Sequence, residues 1–179
     1  MIIAIEGADG AGKSTLWERL YDVLPRMIPA RFRRMRFVSY PPLGSLWQMI
    51  EQVEAREAAV FDQLYDPGLL YLMDRFFAVS GPVYATAFQR PIPEYRKWLP
   101  ELVTIHLSCP LSELQKRIAT RGDGQAEVIS RLPAVVEAYE SVLSQFEYTV
   151  CVLDATQPLE VLTQAVVARV QSWTALMQR

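Results

Sequence analysis

Residues 6–15 have the sequence EGADGAGKST and follow directly on the apolar run IIAI at residues 2–5. The spacing G-x-x-x-x-G-K-S, preceded by an apolar strand and followed by a helix, is typical of a loop that binds phosphate groups. In such a loop the backbone N–H groups point inward, and the positive end of the helix adds to their field, so phosphate oxygens are held. The sequence therefore predicts a nucleotide-binding protein.

Each residue of this loop has a predicted part in holding the nucleotide. The glycines let the backbone wrap closely around the phosphates and adopt positive φ. Lys13 is expected to neutralise the β- and γ-phosphates, and the Ser14 hydroxyl is expected to bind Mg²⁺, which prefers oxygen ligands. A glycine-rich turn that only caps a helix is disfavoured by the complete match in this setting. The predicted nucleotide-binding residues of the loop are Gly7, Asp9, Gly10, Ala11, Gly12, Lys13, Ser14 and Thr15.

Composition places the chain among folded globular proteins. It has 179 residues, of which 51% are hydrophobic and 21% charged, a balance expected of a single α/β domain over residues 1–179. The net charge of −2 gives no reason to expect a membrane or nucleic acid as partner, and no apolar stretch approaches the length of a membrane span. The two cysteines are too few for a disulfide framework. Because the first strand begins at residue 2, we expect no cleaved targeting peptide and a cytoplasmic protein.

Short β-type runs alternate with helical segments along the chain. This alternation predicts a three-layer α/β fold, a five-stranded parallel sheet with helices on both faces. Ligands of such sheets bind beyond the carboxyl ends of the strands. The predicted strands cover residues 2–6, 36–40, 69–74, 102–108 and 149–154. The predicted helices cover residues 13–24, 45–64, 111–120, 129–145 and 159–177, and Pro25 is expected to end the first of them.

Asp74 and Arg75 end the third predicted strand, in the sequence LLYLMDRF. A carboxylate at this place beside a phosphate loop is the usual group that organises Mg²⁺, and the neighbouring guanidinium can grip a phosphate through two parallel hydrogen bonds. A surface ion pair at a strand end is the competing interpretation. The phosphate loop favours the functional one, so we predict Ser14 and Asp74 as metal ligands and Arg75 as a phosphate-binding residue.

Arg117 and Arg121 are four residues apart, directly ahead of the loop GDG at residues 122–124, and therefore share one face of a predicted helix. A loop that carries arginines can close over a transferring phosphoryl group, stabilise its charge and exclude water. A solvated basic helix face is the common alternative. The context favours a lid over about residues 117–131.

The quoted motifs resemble those of the thymidylate kinases, a family of nucleoside monophosphate kinases within the P-loop superfamily. The loop at residues 6–15 looks like that family's E-G-x-D-G-x-G-K-S-T. Asp74-Arg75-Phe76, followed by Ser80 and Tyr84, looks like its D-R-Y-x-x-S-x-x-A-Y segment, with a shift of one residue in the spacing. Residues 100–107 are similar to the family's fourth strand, and residues 117–122 to the start of its lid. Residues 152–159 are similar to its adenine-side loop.

The resemblance implies a P-loop kinase fold, a homodimer, and transfer of the γ-phosphoryl group of ATP, with Mg²⁺, to a deoxynucleoside monophosphate. The acceptor would be dTMP or a related or modified pyrimidine nucleotide. Asp9 would contact the acceptor sugar or the metal region, and Arg121 or Arg131 would reach the transferred group. The implied catalytic residues are Lys13, Asp74, Arg75, Arg117, Arg121 and Arg131. The implied adenine-side residues are Arg117, Ala155 and Thr156, and the implied acceptor-binding residues are Asp9, Tyr40, Arg75, Phe76, Ser80 and Tyr84.

Two departures from the family leave the acceptor open. Residues 39–45, SYPPLGS, contain no arginine where the family carries one for the acceptor phosphate, and the helical segment before Asp74 is shorter than usual. A kinase of a free deoxynucleoside, or of a hydroxyl on a modified base or end in nucleic acid, is therefore an alternative, with Glu6 or Asp74 as general base. The arginines between residues 26 and 36 are interpreted as a solvated surface, although they also suit a polymeric acceptor. His106 is predicted to be a hydrogen-bonded core residue.

Overall fold

The computed structural model describes residues 1–28, 31–36, 46–92, 102–122, 126–145 and 149–177, which form five strands and six helices. The strands are β1 (Ile2–Glu6), β2 (Phe32–Arg36), β3 (Leu70–Asp74), β4 (Leu102–Ser108) and β5 (Val150–Asp154). The helices are α1 (Lys13–Met27), α2 (Leu46–Leu64), α3 (Phe77–Ala87), α4 (Leu111–Arg121), α5 (Ala126–Leu143) and α6 (Leu159–Met177).

The strands form one parallel sheet in the order β2-β3-β1-β4-β5. Ile5 of β1 pairs with Asp74 of β3, and Glu6 pairs with His106 of β4. The carboxyl ends of these three central strands therefore reach the same edge of the sheet, where β1 passes into the predicted phosphate loop. The predicted α/β architecture of five parallel strands with helices is confirmed.

Helices cover the sheet through apolar faces. Every residue of β1 is buried, as expected for a central strand covered on both faces. The helix α1 buries Leu16, Leu20 and Leu24 at helical spacing and packs against β3 and α6, whereas α3 packs against α2 and α5. None of the helices within the described ranges is long and apolar enough to span a bilayer.

The strand β2 begins at Phe32, four residues before its predicted start, so that prediction is wrong. In an edge strand, arginines can face solvent or contact adjacent parts of the same chain. Such a strand therefore lacks the usual alternation of apolar and polar residues. Arg33 Nη1 donates to Leu64 O at 2.9 Å, and Arg34 Cζ lies 4.1 Å from the centroid of the Trp17 ring. The predicted strand residues 37–40 lie outside the described residues.

Prolines account for two further differences. The helix α1 does not end at Pro25 but continues to Met27, because a proline in the last turn removes one N–H while Ile28 N–H still closes the helix on Leu24 O at 3.0 Å. The helix α3 was not predicted, and it holds Pro82 in its interior. Nearly all of its residues are buried, so it lacks the alternation of apolar and polar faces that marks a surface helix.

Candidate active site

The loop between β1 and α1 is shaped by glycines in the left-handed region. Gly7, Gly10 and Gly12 have φ values of 147°, 88° and 90°. A Cβ on Gly7 would lie 2.8 Å from Leu107 O, and one on Gly10 would lie 3.1 Å from Leu114 O, so the loop passes too tightly over β4 and α4 for larger residues. It leads directly into the amino end of α1, where the partial positive charge of the helix favours an anion.

Lys13 is the first residue of α1, and its side chain is folded back over the loop. It is 7% exposed, and its Nζ donates to Ala8 O at 2.9 Å. Burial and the charge of Arg75 lower the pKa of Lys13 to about 8, although nearby carboxylates oppose the shift. A phosphate group at the loop would add negative charge beside the ammonium and favour its protonated form.

Ser14 and Asp74 bring the first turn of α1 against the end of β3. Ser14 Oγ donates to Asp74 Oδ2 at 2.7 Å. A hydroxyl and a carboxylate in contact are a donor set that suits Mg²⁺. No group of three or more His, Cys, Asp or Glu residues is arranged to hold a metal within the described parts of the chain, so a magnesium ion here would take its other ligands from water and nucleotide phosphates.

Arg75 follows β3 in an unusual backbone conformation. Its φ is 68°, a left-handed value that costs a non-glycine residue about 1 kcal/mol or more and often marks a functional site. Its N–H donates to Ile5 O at 3.1 Å, which fixes the backbone to the neighbouring strand β1. The guanidinium contacts two side chains: Nη2 lies 2.5 Å from Asp9 Oδ1, and Nη1 donates to the Tyr84 hydroxyl.

Asp9 joins the lysine of the loop to this arginine. Its Oδ1 lies 3.9 Å from Lys13 Nζ and 2.5 Å from Arg75 Nη2. Burial acts to raise the pKa of Asp9, but the charges of Arg75, Lys13 and Arg121 outweigh it and hold the pKa below its ordinary value. Asp9 is therefore ionised at neutral pH, and its carboxylate pairs with both Lys13 and Arg75.

Glu6 ends β1 and is fully buried. Its Oε1 accepts a hydrogen bond from Phe76 N–H at 2.7 Å, and its Oε2 accepts one from the Tyr139 hydroxyl at 2.9 Å. Burial raises the pKa of Glu6 to about 7, and the charge of Arg75 opposes the shift only in part. A carboxyl that titrates near neutrality at the edge of a phosphate site has the proton affinity of a general base.

Arg117 links the loop to the segment after β5. Its Nη1 donates to Gly10 O at 3.4 Å, its Nη2 donates to Ala155 O at 3.0 Å, and its Nε donates to Glu113 Oε1 at 2.8 Å. Thr156 lies in the same segment, where its N–H and Oγ1 both donate to an oxygen of Asp154. The predicted adenine-side residues are thus brought together beside the loop.

The other two lid arginines lie in different places. Arg121 ends α4 and is exposed, and its charge reaches Asp9 and helps to lower the pKa of that carboxyl. Arg131 lies on α5 with its Cζ 5.1 Å from the centroid of the Phe88 ring, just beyond the carboxyl end of α3. It is eight residues along α5 from Tyr139, which is about 12 Å on a helix. The charge of Arg121 thus acts on the loop, whereas Arg131 packs against Phe88.

The predicted acceptor residues are also divided. Ser80 and Tyr84 lie on α3, where Tyr84 contacts Arg75, and Tyr40 lies outside the described residues. The side chain of Phe76 is fully buried, with its ring centroid 5.1 Å from that of Phe61. Phe76 thus belongs to the core and takes part in the site through its backbone N–H.

His106 lies in the core as predicted, but within the described part of the chain the expected hydrogen bond is missing at one of its two ring nitrogens. It is buried in β4 and its ring stacks on Tyr139 at a centroid distance of 5.0 Å, but its Nδ1 lacks a hydrogen-bond partner among the described residues. Burial lowers the pKa of His106 to about 4, so the ring is neutral. It borders a cavity of about 620 Å³ that reaches from Ala8 to Thr156, a size typical of small-molecule sites.

Two buried carboxyls on α2 were missed by the sequence analysis. Glu54 and Glu57 lie on α2 and are 5% and 8% exposed. Trp47, Glu54 and Phe61 recur every seven residues, so the sequence places a glutamate on the same helix face as two aromatic residues. A charged residue within an apolar stripe was the signal that could have found them.

No protein-family model matches the chain, but individual proteins do. A probable thymidylate kinase of Halorubrum lacusprofundi is 27% identical over 198 residues, covering 96% of this chain and 95% of the relative. A probable thymidylate kinase of Sulfurisphaera tokodaii is 25% identical over 189 residues, covering 92% of this chain and 93% of the relative. The resemblance to the thymidylate kinases is confirmed over nearly the whole chain.

Solved structures share the architecture at lower identity. The structure of deoxyadenosine kinase from M. mycoides with bound dATP matches with a TM-score of 0.72 and 15% identity, over 96% of this chain and 100% of that one. The YorR protein of Bacillus subtilis in complex with phosphorylated GDP matches with a TM-score of 0.65 and 21% identity, over 96% of each chain. The chain has the P-loop kinase fold.

Proposed function

We propose that this protein transfers the γ-phosphoryl group of Mg²⁺-bound ATP to a deoxynucleoside monophosphate, dTMP or a related or modified pyrimidine nucleotide. The single observation that carries the proposal is the contact of Asp9 with both Lys13 and Arg75. One of these cations belongs to the donor loop and the other lies outside it, at the end of β3. Two phosphate groups bound by them would meet at one place, which is what a transfer between two phosphorylated partners requires.

The assignments on the donor side follow from this geometry. The loop amides and Lys13 would hold the phosphates, Ser14 and Asp74 would hold Mg²⁺, and Arg117 with Ala155 and Thr156 would border the adenine. When bound there, Mg²⁺ would neutralise part of the charge of the phosphate groups. Because the attacking oxygen of a monophosphate is already anionic, positioning and charge matter more than a strong base.

The lid and the assembly complete the proposal. A lid over about residues 117–131, with Arg121 or Arg131 at the transferred phosphoryl group, would exclude water during transfer. By its resemblance to the thymidylate kinases, we further propose that the protein works as a homodimer in the cytoplasm. Light scattering of the purified protein tests the dimer directly, and a monomer at micromolar concentration contradicts it.

The two relatives support this proposal. Both are named probable thymidylate kinase, and each matches this chain over nearly its whole length. A second candidate is a kinase of a free deoxynucleoside or of a hydroxyl in nucleic acid. Glu6 favours it, because a hydroxyl acceptor must lose a proton and this carboxyl has a pKa of about 7. The fold likeness to a protein named deoxyadenosine kinase agrees with the nucleoside version.

One assay separates the two candidates. The protein is incubated with Mg²⁺ and γ-labelled ATP and with a panel of deoxynucleosides, deoxynucleoside monophosphates, modified pyrimidine monophosphates and DNA oligonucleotides. Label recovered in a nucleoside diphosphate supports the monophosphate kinase. Label recovered only in monophosphates made from nucleosides, or only in oligonucleotides, overturns it in favour of the second candidate.

A further inference from the structure

The backbone turns at the end of β3 through a strained residue. Arg75 has a φ of 68°, and Gln89 is the one other non-glycine residue with a positive φ among the described residues. Gln89 is exposed, whereas Arg75 contacts Asp9 of the phosphate loop. A left-handed conformation of a residue with a side chain persists only where surrounding contacts hold it. The contacts that hold Arg75 therefore matter to how the site is built.

Two consecutive residues of β1 hold this backbone. Arg75 N–H donates to Ile5 O at 3.1 Å, and the next amide, Phe76 N–H, donates to Glu6 Oε1 at 2.7 Å. The first contact uses only backbone atoms, whereas the second needs an acceptor oxygen at the end of a side chain. Phe76 is also the N-cap residue of α3, and its own side chain makes no capping hydrogen bond. Glu6 thus anchors both the strained turn and the beginning of α3.

Glu6 is itself held on both sides of its carboxyl group. Its Oε2 accepts a hydrogen bond from the Tyr139 hydroxyl at 2.9 Å, and the Tyr139 ring stacks on His106. Glu6 is 0% exposed, so an acceptor hydroxyl has no open approach to either oxygen past the described residues. A general base must come within hydrogen-bond reach of the proton that it removes. This geometry therefore favours a positioning role for Glu6 over a role as base.

The direction of the Arg75 side chain depends on the backbone that Glu6 holds. The guanidinium contacts Asp9, beside the loop lysine, and Tyr84 on α3. A return of Arg75 to a negative φ would redirect its Cβ and carry the guanidinium away from Asp9. Two parallel hydrogen bonds to a phosphate group require a guanidinium that is aligned with it. A relaxed backbone at Arg75 would therefore weaken the contact to the acceptor phosphate.

We propose that Glu6 is a positioning residue of the acceptor site. It holds the backbone of Arg75 and Phe76 in the conformation that directs the guanidinium to the acceptor phosphate, and it acts on the reaction only through Arg75. This role rests on the proposed function, because it takes a monophosphate as the acceptor. It goes beyond that function by giving a positioning task to the carboxyl that a nucleoside kinase would use as its base.

A double-mutant cycle tests whether Glu6 acts through Arg75. With dTMP, or the monophosphate of the panel with the highest rate, Glu6→Ala should lower kcat/KM at least about tenfold. The KM for ATP should stay within about twofold, because a displaced guanidinium affects only the acceptor. In the Arg75→Ala background the same change should cost less than about twofold, since no guanidinium remains to be positioned.

A matched control removes another buried polar side chain of the sheet. Thr104 lies on the neighbouring strand β4 and is 0% exposed, and its Oγ1 has no hydrogen-bond partner among the described residues. Thr104→Ala should keep kcat/KM for the monophosphate within about twofold. The control therefore separates the loss of a particular contact from the general effect of a cavity in the sheet.

The conservative variant separates positioning from base catalysis. In Glu6→Gln the amide oxygen can accept from Phe76 N–H, and the amide N–H₂ can donate to the Tyr139 oxygen, so both contacts persist while the proton acceptor is lost. Glu6→Gln should therefore recover kcat/KM to within about threefold of the unaltered protein. A general base would instead predict a loss of about 10²-fold or more in Glu6→Gln.

The outcomes distinguish this role from the proposed function. Equal losses in Glu6→Gln and Glu6→Ala, or a full further loss in the Arg75→Ala background, overturn the positioning role and leave the kinase assignment intact. Absence of transfer to every monophosphate by the unaltered protein contradicts both. Melting curves establish that the variants are folded. If Glu6→Ala is not, Glu6→Asp replaces it, because aspartate keeps a carboxylate but is too short by one methylene to reach Phe76 N–H.

Discussion

The two sides of the site are built in different ways. The proposed donor side is one continuous segment, residues 7–15, held by backbone conformation and by Lys13. The proposed acceptor side is assembled from residues distant in sequence, with Arg75 after β3 in contact with Tyr84 on α3. Backbone amides bind phosphate groups of any nucleotide, regardless of its base. Selection of one base over another requires side chains. The comparison suggests that the reaction type resides in the loop and the choice of acceptor resides in the helices.

Removal of the loop lysine is the strongest way to break this comparison. Lys13→Ala should lower kcat by about 10³-fold for every acceptor, because the ammonium neutralises charge on the donor phosphates and not on the base. The ratio of the rates for two acceptors with different bases should stay unchanged. Steady-state kinetics with both acceptors measure this, with Lys116→Ala, an exposed lysine of α4, as the control. A variant that keeps more than a tenth of the activity would contradict the role of Lys13.

The arginine after β3 should show a smaller and one-sided effect. Arg75→Ala should lower kcat/KM for a monophosphate by about 10²-fold and leave the KM for ATP within about twofold, since the lost contact is to the acceptor phosphate. Arg90→Ala, an exposed arginine a few residues after α3, is the control. A rise in the KM for ATP as large as the loss in kcat/KM for the monophosphate would mean that Arg75 binds the donor. The proposed separation of a donor and an acceptor side would then be wrong.

The sequence predicted the position and conformation of the phosphate loop well because their determinants are local. The spacing of residues 7–13 specifies both the turn and its ligand, and the strands β1 and β4 were found with the bounds that the structure has. The acceptor side was found less well. The helix α3 was missed because burial on nearly all sides removes its amphipathic pattern, and the burial of Glu54 and Glu57 was missed because a glutamate within an apolar stripe is more often at its solvent edge.

The lid arginines show the same limit. Their spacing on a helix was evident from the sequence, but their distances from the loop depend on how α4 and α5 pack. Arg121→Ala should lower kcat about tenfold, because its charge reaches Asp9 beside the loop. Arg131→Ala should change kcat less than about threefold, because Arg131 lies over Phe88. Single-turnover rates of the two variants measure the difference, and a larger loss in Arg131→Ala would require the lid to bring α5 toward the loop.

The last expected effect concerns stability, and it reports on the packing of α2. In the unfolded chain Glu57 has its ordinary pKa of 4.5, whereas burial raises the pKa to about 8 in the folded protein, with Glu6 adding to the shift and Arg75 opposing it. The folded state therefore binds more protons between these values, and its stability falls as pH rises through that window. Glu57→Gln removes this dependence, so its stability relative to the unaltered protein should rise by about 2 kcal/mol between pH 5 and pH 7. Urea unfolding at the two pH values measures it, with Glu51→Gln as the exposed control. A constant difference would mean that Glu57 is already ionised in the folded protein.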